Sequence, residues 1–172
     1  MICRLSLSEF DAILTVVNDA AQTYKGVIPE DRWQEPYMPA SELGSEVESG
    51  VEFYGWMENG VLAAVMGIQL VNNVTLIRHA YVLTVYQRRE IGEKLLEHIK
   101  SLARTSTILV GTWQVAYWAV RFYEKHGFKV LSKEETDRLL RKYWNIPERQ
   151  IETSVVLKLA TFQGTLEDIN KL

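Results

Sequence analysis

The sequence predicts an α+β fold, with helices on both faces of a mixed, mostly antiparallel sheet of about seven strands. Three observations indicate this fold. The pair Asn59-Gly60 joins two apolar segments and is typical of a tight β-hairpin turn. Apolar residues recur at helical spacing between Ile91 and Leu102. In the C-terminal half, short apolar segments alternate with helical ones, and this order predicts crossovers between parallel strands.

The first four predicted strands precede the helix that begins near Ile91. A short strand covers Ile2 to Leu5, and the Asn59-Gly60 hairpin joins strands over Val51 to Glu58 and Val61 to Leu70. A second turn at Asn72-Asn73 leads into Val74 to Leu83, a segment rich in β-branched residues. These strands are consecutive, so the last three are predicted to pair antiparallel.

Two helices are predicted before the hairpin, with an irregular loop between them. Ser8 followed by Asp11 predicts the start of the first helix. The second helix is predicted from Ser41 to Ser49, and Gly50 ends it. The loop between the helices holds three of the four prolines in the chain, Pro29, Pro36 and Pro39.

The C-terminal half is predicted to alternate strands and helices. In order, the elements are a strand over Thr107 to Gly111, a helix over Val115 to His126 ended by Gly127, a strand over Phe128 to Leu131, a helix through Asp137 to Trp144 capped by Ser132 and Glu135, and a last strand over Ile151 to Leu159. Pro147 prevents the helix from continuing.

Length and charge limit the classes of function. The 172 residues predict a single domain over 1–172, with residues 160–172 as a C-terminal tail. Nineteen basic and 22 acidic residues give a net charge of −3, which offers no general attraction to nucleic acid or to an anionic membrane. The longest apolar stretch, Val61 to Ile68, is too short for a membrane span. Cys3 is the one cysteine, as expected in a reducing cytoplasm.

The segment from Tyr81 to Gly92 predicts an anion-binding site. A strand leads into a basic turn with Arg88 and Arg89, and the turn opens an amphipathic helix. Free backbone N–H groups and the positive end of the helix dipole favour phosphate at such a position. A solvated basic turn before an ordinary helix is the alternative interpretation.

Two motifs resemble those of the GNAT superfamily of acetyl-CoA-dependent N-acetyltransferases. The turn Gln87–Gly92 is similar to the family's Gln/Arg-x-x-Gly-x-Gly/Ala signature. The segment Ala119–Phe128 is similar to a helix-to-strand block that ends in Tyr-x-x-x-Gly-Phe. Both occur in the family's order and spacing, so the resemblance implies the GNAT acyl-CoA N-acyltransferase fold and acetyl-CoA as the acyl donor. No metal is implied.

The resemblance also implies which residues bind acetyl-CoA. Backbone groups of the turn would bind the pyrophosphate, and the residues concerned are Gln87, Arg88, Arg89, Glu90, Ile91 and Gly92. The exposed strand backbone of Tyr81, Val82 and Leu83 would pair with the pantetheine arm. This pairing requires the neighbouring strand, Thr107 to Gly111, to diverge and leave that backbone without a partner.

Tyr123 and His79 are the predicted catalytic residues. Tyr123 matches the family's tyrosine that protonates the departing thiolate, and a neutral phenol can donate that proton at neutral pH. The alternative is a core aromatic beside Phe122. His79 is the nearest titratable candidate for the general base, with a packed strand histidine as the alternative.

The acceptor contacts are predicted in the segment between the first two helices and in adjoining loops. These aromatic and acidic side chains suit a cationic amine, although solvated charges and packing aromatics explain them equally. The residues are Tyr24, Glu30, Asp31, Trp33, Glu35, Tyr37, Trp56 and Trp113.

Two positions depart from the family pattern. Glu90 stands where the first glycine of the turn is expected, which adds a carboxylate close to the predicted phosphates. Ala116 stands where many relatives place an asparagine that contacts the cofactor arm. We therefore expect weaker CoA binding than in a chain with glycine at the turn.

The function expected from these residues is acetyl transfer from acetyl-CoA to a primary amine by direct attack in a ternary complex. The acceptor is a small molecule or a peptide amine, and a second copy of the chain, paired through the strand that ends at Leu159, is a candidate partner. The alternatives are a non-catalytic acyl-CoA-binding regulatory or interaction module and a structural partner subunit that has lost ligand binding.

Overall fold

The computed structural model describes residues 1–161, whose strands form a seven-stranded sheet in the order β1-β2-β3-β4-β5-β7-β6. The strands are β1 (Ile2–Arg4), β2 (Glu52–Glu58), β3 (Val61–Val71), β4 (Val74–Val82), β5 (Thr107–Trp113), β6 (Lys129–Val130) and β7 (Ser154–Ala160). The helices are α1 (Phe10–Ala20), α2 (Ala40–Glu48), α3 (Ile91–Leu102), α4 (Tyr117–Lys125), α5 (Lys133–Tyr143) and α6 (Glu148–Glu152). None of the described helices is both long and apolar enough to cross a membrane.

The sheet has an antiparallel half and a mixed half. Strands β1 to β4 are consecutive antiparallel neighbours, and Asn59 adopts the positive φ of 51° that the first hairpin turn requires. The predicted crossovers hold for β4 to β5, which are parallel neighbours. Strand β7 then runs antiparallel between β5 and β6, so β5 and β6 point the same way without touching. The predicted free edge at Leu159 is wrong, because β6 pairs with β7 at Lys158 and Leu157.

The start of the first helix differs from the prediction. Ser6 and Glu9, rather than Ser8 and Asp11, form the capping box: the Ser6 N–H donates to Glu9 Oε2 at 2.7 Å, and Ser6 Oγ accepts from the Ser8 N–H at 3.2 Å. One short 3₁₀ turn, Leu7–Glu9, therefore precedes α1.

The C-terminal elements also differ from the prediction. The strand predicted to begin at Ile151 begins at Ser154, because α5 ends at Tyr143 and Pro147 then serves as the N-cap of the short helix α6. Ile151 lies in α6 and is buried against the core beneath α5. The predicted tail lies outside the described residues, apart from Ala160 and Thr161.

The helices cover both faces of the sheet. On one face α3 and α4 bury residues such as Leu95, Leu96 and Tyr123 against β3 to β5. On the other face α1 and α2 bury residues such as Val17 and Leu43, and α5 covers a neighbouring core. The predicted fold class is confirmed.

A β-bulge interrupts β4 at its middle. His79 and Ala80 both stand opposite Met66 of β3, and His79 adopts a φ of 51°. Gly67 is required beside this bulge, because a Cβ there would lie 2.9 Å from the carbonyl oxygen of Arg78. The bulge places two consecutive side chains, Arg78 and His79, where both reach α2, although neighbouring strand residues ordinarily face opposite sides.

Candidate functional site

The seam between β4 and β5 opens halfway along the strands. The two strands pair only at Thr75, Leu76 and Ile77 of β4. Beyond that point β5 stays paired with β7 as far as Trp113, while β4 keeps β3 alone as its neighbour as far as Val82. Among the described residues, the β5-facing edge of β4 therefore has no strand partner over its second half, as the family resemblance required.

A cavity of about 600 Å³ lies where the two strands separate. Its walls come from β4, β5, α2, α4, the loop between α1 and α2, and the segment that carries α5 and α6. The residues with ionisable or phenolic groups that line it include Tyr24, Arg32, Tyr37, Glu42, Glu46, Arg78, His79, Tyr81 and Tyr123. The cavity thus connects the open strand edge with a group of polar side chains.

The turn before α3 presents unpaired backbone donors. Arg88 and Glu90 both adopt positive φ angles, 62° and 59°, and they bend the chain into the first turn of the helix. Within the described residues, the N–H groups from Glu90 to Glu93 make no hydrogen bond. Such amides, with the positive end of the helix dipole, form a cradle for an anion. The side chain of Gln87 links this cradle to β4 by donating to the carbonyl of Val82 at 3.2 Å.

Glu90 occupies the left-handed conformation that favours glycine. Its side chain is 75% exposed, and its nearest cationic group is Lys94 Nζ at 3.9 Å. The carboxylate therefore stands in solvent at the cradle and does not cover the free amides. The two arginines of the turn are exposed as well, and the Arg89 guanidinium lies 5.1 Å from the ring centroid of Tyr86.

Tyr123 reaches the cavity from α4. Its ring packs edge-on against Phe122 and Phe128, and the residue is 5% exposed. Burial, followed by the nearby hydroxyl of Tyr24, raises the pKa of Tyr123 above its usual range. The phenol is therefore neutral at physiological pH and can act as a proton donor.

A charged cluster joins α2 to the bulge of β4. Glu46 Oε2 lies 2.7 Å from Arg78 Nη2 and 3.2 Å from His79 Nε2, and Arg78 Nη1 donates to Gln69 Oε1 at 2.8 Å. Burial opposes ionisation of Glu46, but His79 and Arg78 together hold its pKa below the usual range. Glu42, one turn earlier, has its pKa raised by partial burial and by Glu46, against the opposing charges of His79 and Arg78.

Aromatic side chains form the wall opposite Tyr123. The hydroxyl of Tyr37 accepts a hydrogen bond from Trp113 Nε1 at 2.9 Å, and Tyr24 lies within 6.4 Å of both the Tyr37 and Tyr81 rings, measured between centroids. Burial raises the pKa of all three tyrosines. Trp118 stacks on Tyr24 at the outer end of this wall.

The family model described as Acetyltransferase (GNAT) domain matches residues 18–141. The chain belongs to the GNAT acetyltransferase family. The match spans both motifs on which the sequence resemblance rested, and the resemblance is confirmed. No curated protein matches the chain by sequence.

Solved GNAT structures share the fold at low sequence identity. The PaiA N-acetyltransferase of Thermoplasma acidophilum in complex with coenzyme A superposes with a TM-score of 0.71 at 17% identity, covering 94% of this chain and 98% of that one. The ribosomal-protein-S18-alanine N-acetyltransferase of Escherichia coli gives 0.67 at 18%, with 96% of both chains covered. A GNAT acetyltransferase of Elizabethkingia anophelis with acetyl-CoA bound gives 0.62 at 17%, covering 94% and 97%. The acyl-CoA N-acyltransferase fold is thereby confirmed.

The residues of this GNAT domain fit a CoA arm and its diphosphate. The open edge of β4 runs along Tyr81 and Val82, where the Val82 carbonyl already accepts from Gln87 and the Val82 N–H remains for a ligand, and the cradle offers four free amides. Leu83 differs, because its N–H donates to Ala63 and its carbonyl accepts from Tyr86. Ala116 is fully buried at the N-cap of α4 and presents no polar side chain. Within residues 1–161, no group of three or more His, Cys, Asp or Glu side chains could hold a metal ion.

The predicted acceptor residues of the GNAT site divide into two groups. Tyr24, Tyr37 and Trp113 line the cavity, and Trp33 stacks on Tyr37 at its margin. The other four do not line it: Glu30 is exposed, Asp31 pairs with Arg149, Glu35 pairs with Lys25, and Trp56 bonds to Glu58 beside Lys94.

Sequence reasoning missed Glu42, Glu46 and Arg32. Glu42 and Glu46 are four residues apart, so they share one face of α2, and this spacing was the available signal. It did not show that the bulge of β4 would face them. Arg32 gave no signal, because its place depends on the path of the proline-rich loop.

Proposed function

We propose that this GNAT domain transfers the acetyl group of acetyl-CoA to a primary amine by direct attack in a ternary complex. One observation carries the proposal: the open edge of β4, the amide cradle and the polar cavity meet along the second half of a single strand. A donor arm paired with that edge would deliver its thioester into the cavity, where an amine can approach from the α2 side.

The open edge and the cradle hold the donor. Tyr81 and Val82 would add the pantetheine arm to the sheet as an extra strand, because their edge has no partner from β5. The amides from Glu90 to Glu93 would bind the diphosphate, with Arg88 and Arg89 adding positive charge. A backbone N–H near Val82 would stabilise the oxyanion that develops on the thioester.

His79 and Tyr123 carry the protons. The amine nitrogen forms a bond to the acetyl carbon, the C–S bond breaks, and the amine must lose a proton that His79 accepts. Glu46 Oε2 lies 3.2 Å from His79 Nε2, so its carboxylate would offset the positive charge that His79 gains with the proton. Tyr123 would donate its proton to the CoA thiolate, since the buried phenol is protonated at neutral pH and the proton is therefore present when the C–S bond breaks.

The test is CoA release from acetyl-CoA with a panel of primary amines. Tyr123→Phe should lower kcat by about 100-fold or more, the contribution typical of a general acid. The CoA dissociation constant should stay within about twofold, because the lost hydroxyl would act on the departing thiolate and not on the diphosphate. The matched control is Tyr117→Phe on the same helix, where the side chain is 66% exposed and full turnover is expected.

The variant His79→Gln tests the general base separately from Tyr123, the general acid. The acidic limb of the kcat/KM profile against pH should disappear in this variant, because the group that must be neutral for attack is gone. An unchanged acidic limb would contradict the role of His79, and full turnover in Tyr123→Phe would contradict that of Tyr123.

A non-catalytic acyl-CoA-binding module is the second candidate. Glu90 favours it, because a carboxylate at the cradle opposes an anionic ligand. CoA binding without turnover across the amine panel would support the module. A CoA-independent melting temperature would instead indicate a subunit that has lost ligand binding, since a ligand specific to the folded state must stabilise it.

A further inference from the structure

Arg32 lies in the wall of the cavity and forms no ion pair with another described residue. It ends the 3₁₀ turn Glu30–Arg32 in the loop between α1 and α2. Its Nε atom is buried and has no hydrogen-bond partner, and no carboxylate of residues 1–161 lies within 4.0 Å of its guanidinium. A buried donor left unpaired costs free energy, so its position calls for a ligand group.

Arg78, the second arginine of the cavity, differs from Arg32 in having partners for its charge and its donors. Arg78 has its positive charge neutralised by Glu46 at 2.7 Å, and it donates to Gln69 at 2.8 Å. Its donors are therefore already engaged inside the protein. The donors of Arg32 remain available, although its charge is close enough to Glu42 and Tyr37 to oppose the rise that burial causes in the pKa of both.

The charges of the cavity balance one another. Two arginines, Arg32 and Arg78, face two glutamates, Glu42 and Glu46. Glu46 is paired, and Glu42, like Arg32, has no ion-pair partner within 4.0 Å among the described residues. One cation and one anion thus remain, and a ligand with one ammonium and one carboxylate would match both. A dication would leave Arg32 unpaired, and a phosphate dianion would be repelled by the glutamates.

The loop that carries Arg32 is tied to the fold on both sides. Asp31, its neighbour, accepts two hydrogen bonds from Arg149 of α6, at 2.9 and 3.3 Å. Further along the loop, Asn18 of α1 and Met38 exchange hydrogen bonds at 2.7 and 3.0 Å. The guanidinium is therefore held at the cavity before a ligand arrives, which reduces the entropy lost on binding.

We propose that Arg32 binds a carboxylate of the acceptor, so that the acceptors of this enzyme are amines of the amino-acid type. The inference rests on the proposed function and names the substrate class of the same site. Arg32 determines specificity through contact with the acceptor, and the Asp31–Arg149 pair positions it.

The experiment compares acceptors that differ only in the carboxylate. The pairs are glycine with methylamine, γ-aminobutyrate with propylamine, ε-aminocaproate with pentylamine, and lysine with cadaverine. For at least one pair, the carboxylated member should have a kcat/KM about tenfold or more higher, the ratio expected of a charge-assisted hydrogen bond. Arg32→Gln should reduce that ratio to about one, and Arg32→Lys should restore part of it.

Two controls separate this inference from a folding defect and from the proposed function. Arg104→Gln removes one exposed arginine away from the cavity and should leave the ratio unchanged. Binding of the same pairs in the presence of CoA, measured by calorimetry, gives a readout independent of turnover, and CoA binding itself reports that each variant is folded.

Each outcome decides between the two claims. Turnover with no preference for the carboxylated amines, or a preference that survives Arg32→Gln, overturns the role of Arg32 and leaves the proposed function standing. Arg32-dependent binding of a carboxylated amine without turnover supports Arg32 and overturns the proposed function. Neither binding nor turnover with any pair overturns both.

Discussion

The two halves of β4 differ in their neighbours and in their surroundings. Thr75, Leu76 and Ile77 pair with β5 and are at most 2% exposed. From Arg78 onward the strand loses that partner, and the side chains of Arg78 and His79 are 12% and 15% exposed among polar groups. One half therefore stabilises the sheet through both neighbours, and the other has an edge without a strand partner among the described residues. The bulge at His79 marks the change.

The largest expected loss of stability is in the half of β4 that pairs with β5. Leu76→Ala should lower the free energy of unfolding by about 2–5 kcal/mol, because it removes a fully buried side chain packed with Leu109 and Leu140. Val82→Ala in the open half should cost about 1 kcal/mol, since that side chain is only half-buried. Urea unfolding measures both, and equal costs would erase the distinction between the halves.

An intermediate loss of stability is expected at Glu46, which joins α2 to the bulge of β4. Glu46→Gln should lower the free energy of unfolding by about 1–3 kcal/mol at pH 7, because Arg78 loses the carboxylate that neutralises it. The folded-state pKa of Glu46 is lowered, so its stabilisation is present above its usual pKa of 4.5 and is lost as the pH falls through the folded value. Wild type and variant should therefore converge in acid.

Glu42→Gln on the same helix is the matched comparison. The folded-state pKa of Glu42 is raised, so its contribution is favourable below its usual pKa of 4.5 and is lost as the pH rises through the folded value. The variant should equal or exceed wild-type stability at pH 7, by less than about 0.5 kcal/mol because the group is exposed. Thermal unfolding across pH 3–8 measures both variants, and the same sign for the two would contradict the assigned environments.

The effect expected at the cradle is on CoA affinity and not on the stability of the sheet. Glu90→Gly should tighten CoA binding about threefold to tenfold at low salt, because it removes a negative charge near the diphosphate and suits the φ of 59°. Glu90→Gln removes the charge and keeps the side chain, so it measures the electrostatic part alone. Calorimetry at two salt concentrations tests this, since charge effects shrink with screening. Unchanged affinity in both variants would show that the carboxylate does not oppose CoA.

Local signals in the sequence predicted most of the fold. Asn59-Gly60 predicted a hairpin turn, because few residue pairs accept two positive φ angles. Ser132 caps α5 by accepting from the Glu135 N–H, as predicted. The prediction was wrong where two signals competed. Pro147 was interpreted as a helix stop, yet it begins α6, and the apolar Ile151 was then assigned to the following strand.

The candidate site was only partly predictable, for a different reason. The strand-to-helix turn and Tyr123 belong to contiguous motifs, and the opening of β4 from β5 was inferred from them. Strand β4 contains no glycine or proline at the bulge, so its sequence has none of the residues that typically predict one. Without the bulge, nothing in the sequence brings Glu42, Glu46 and Arg32 toward one cavity, because that contact arises from tertiary packing.

The segment with α5 and α6 is inserted between β6 and β7, and its residues Trp144, Pro147 and Gln150 wall the cavity on the side remote from the amide cradle. It leaves and rejoins the sheet at adjacent strands, so its length and sequence can change without moving β4 or the turn before α3. In the proposed function, donor recognition and acceptor choice would thus reside in separate stretches of chain. During divergence from a common ancestor, this insertion could then be remodelled for a new substrate while the proposed thioester chemistry is inherited intact.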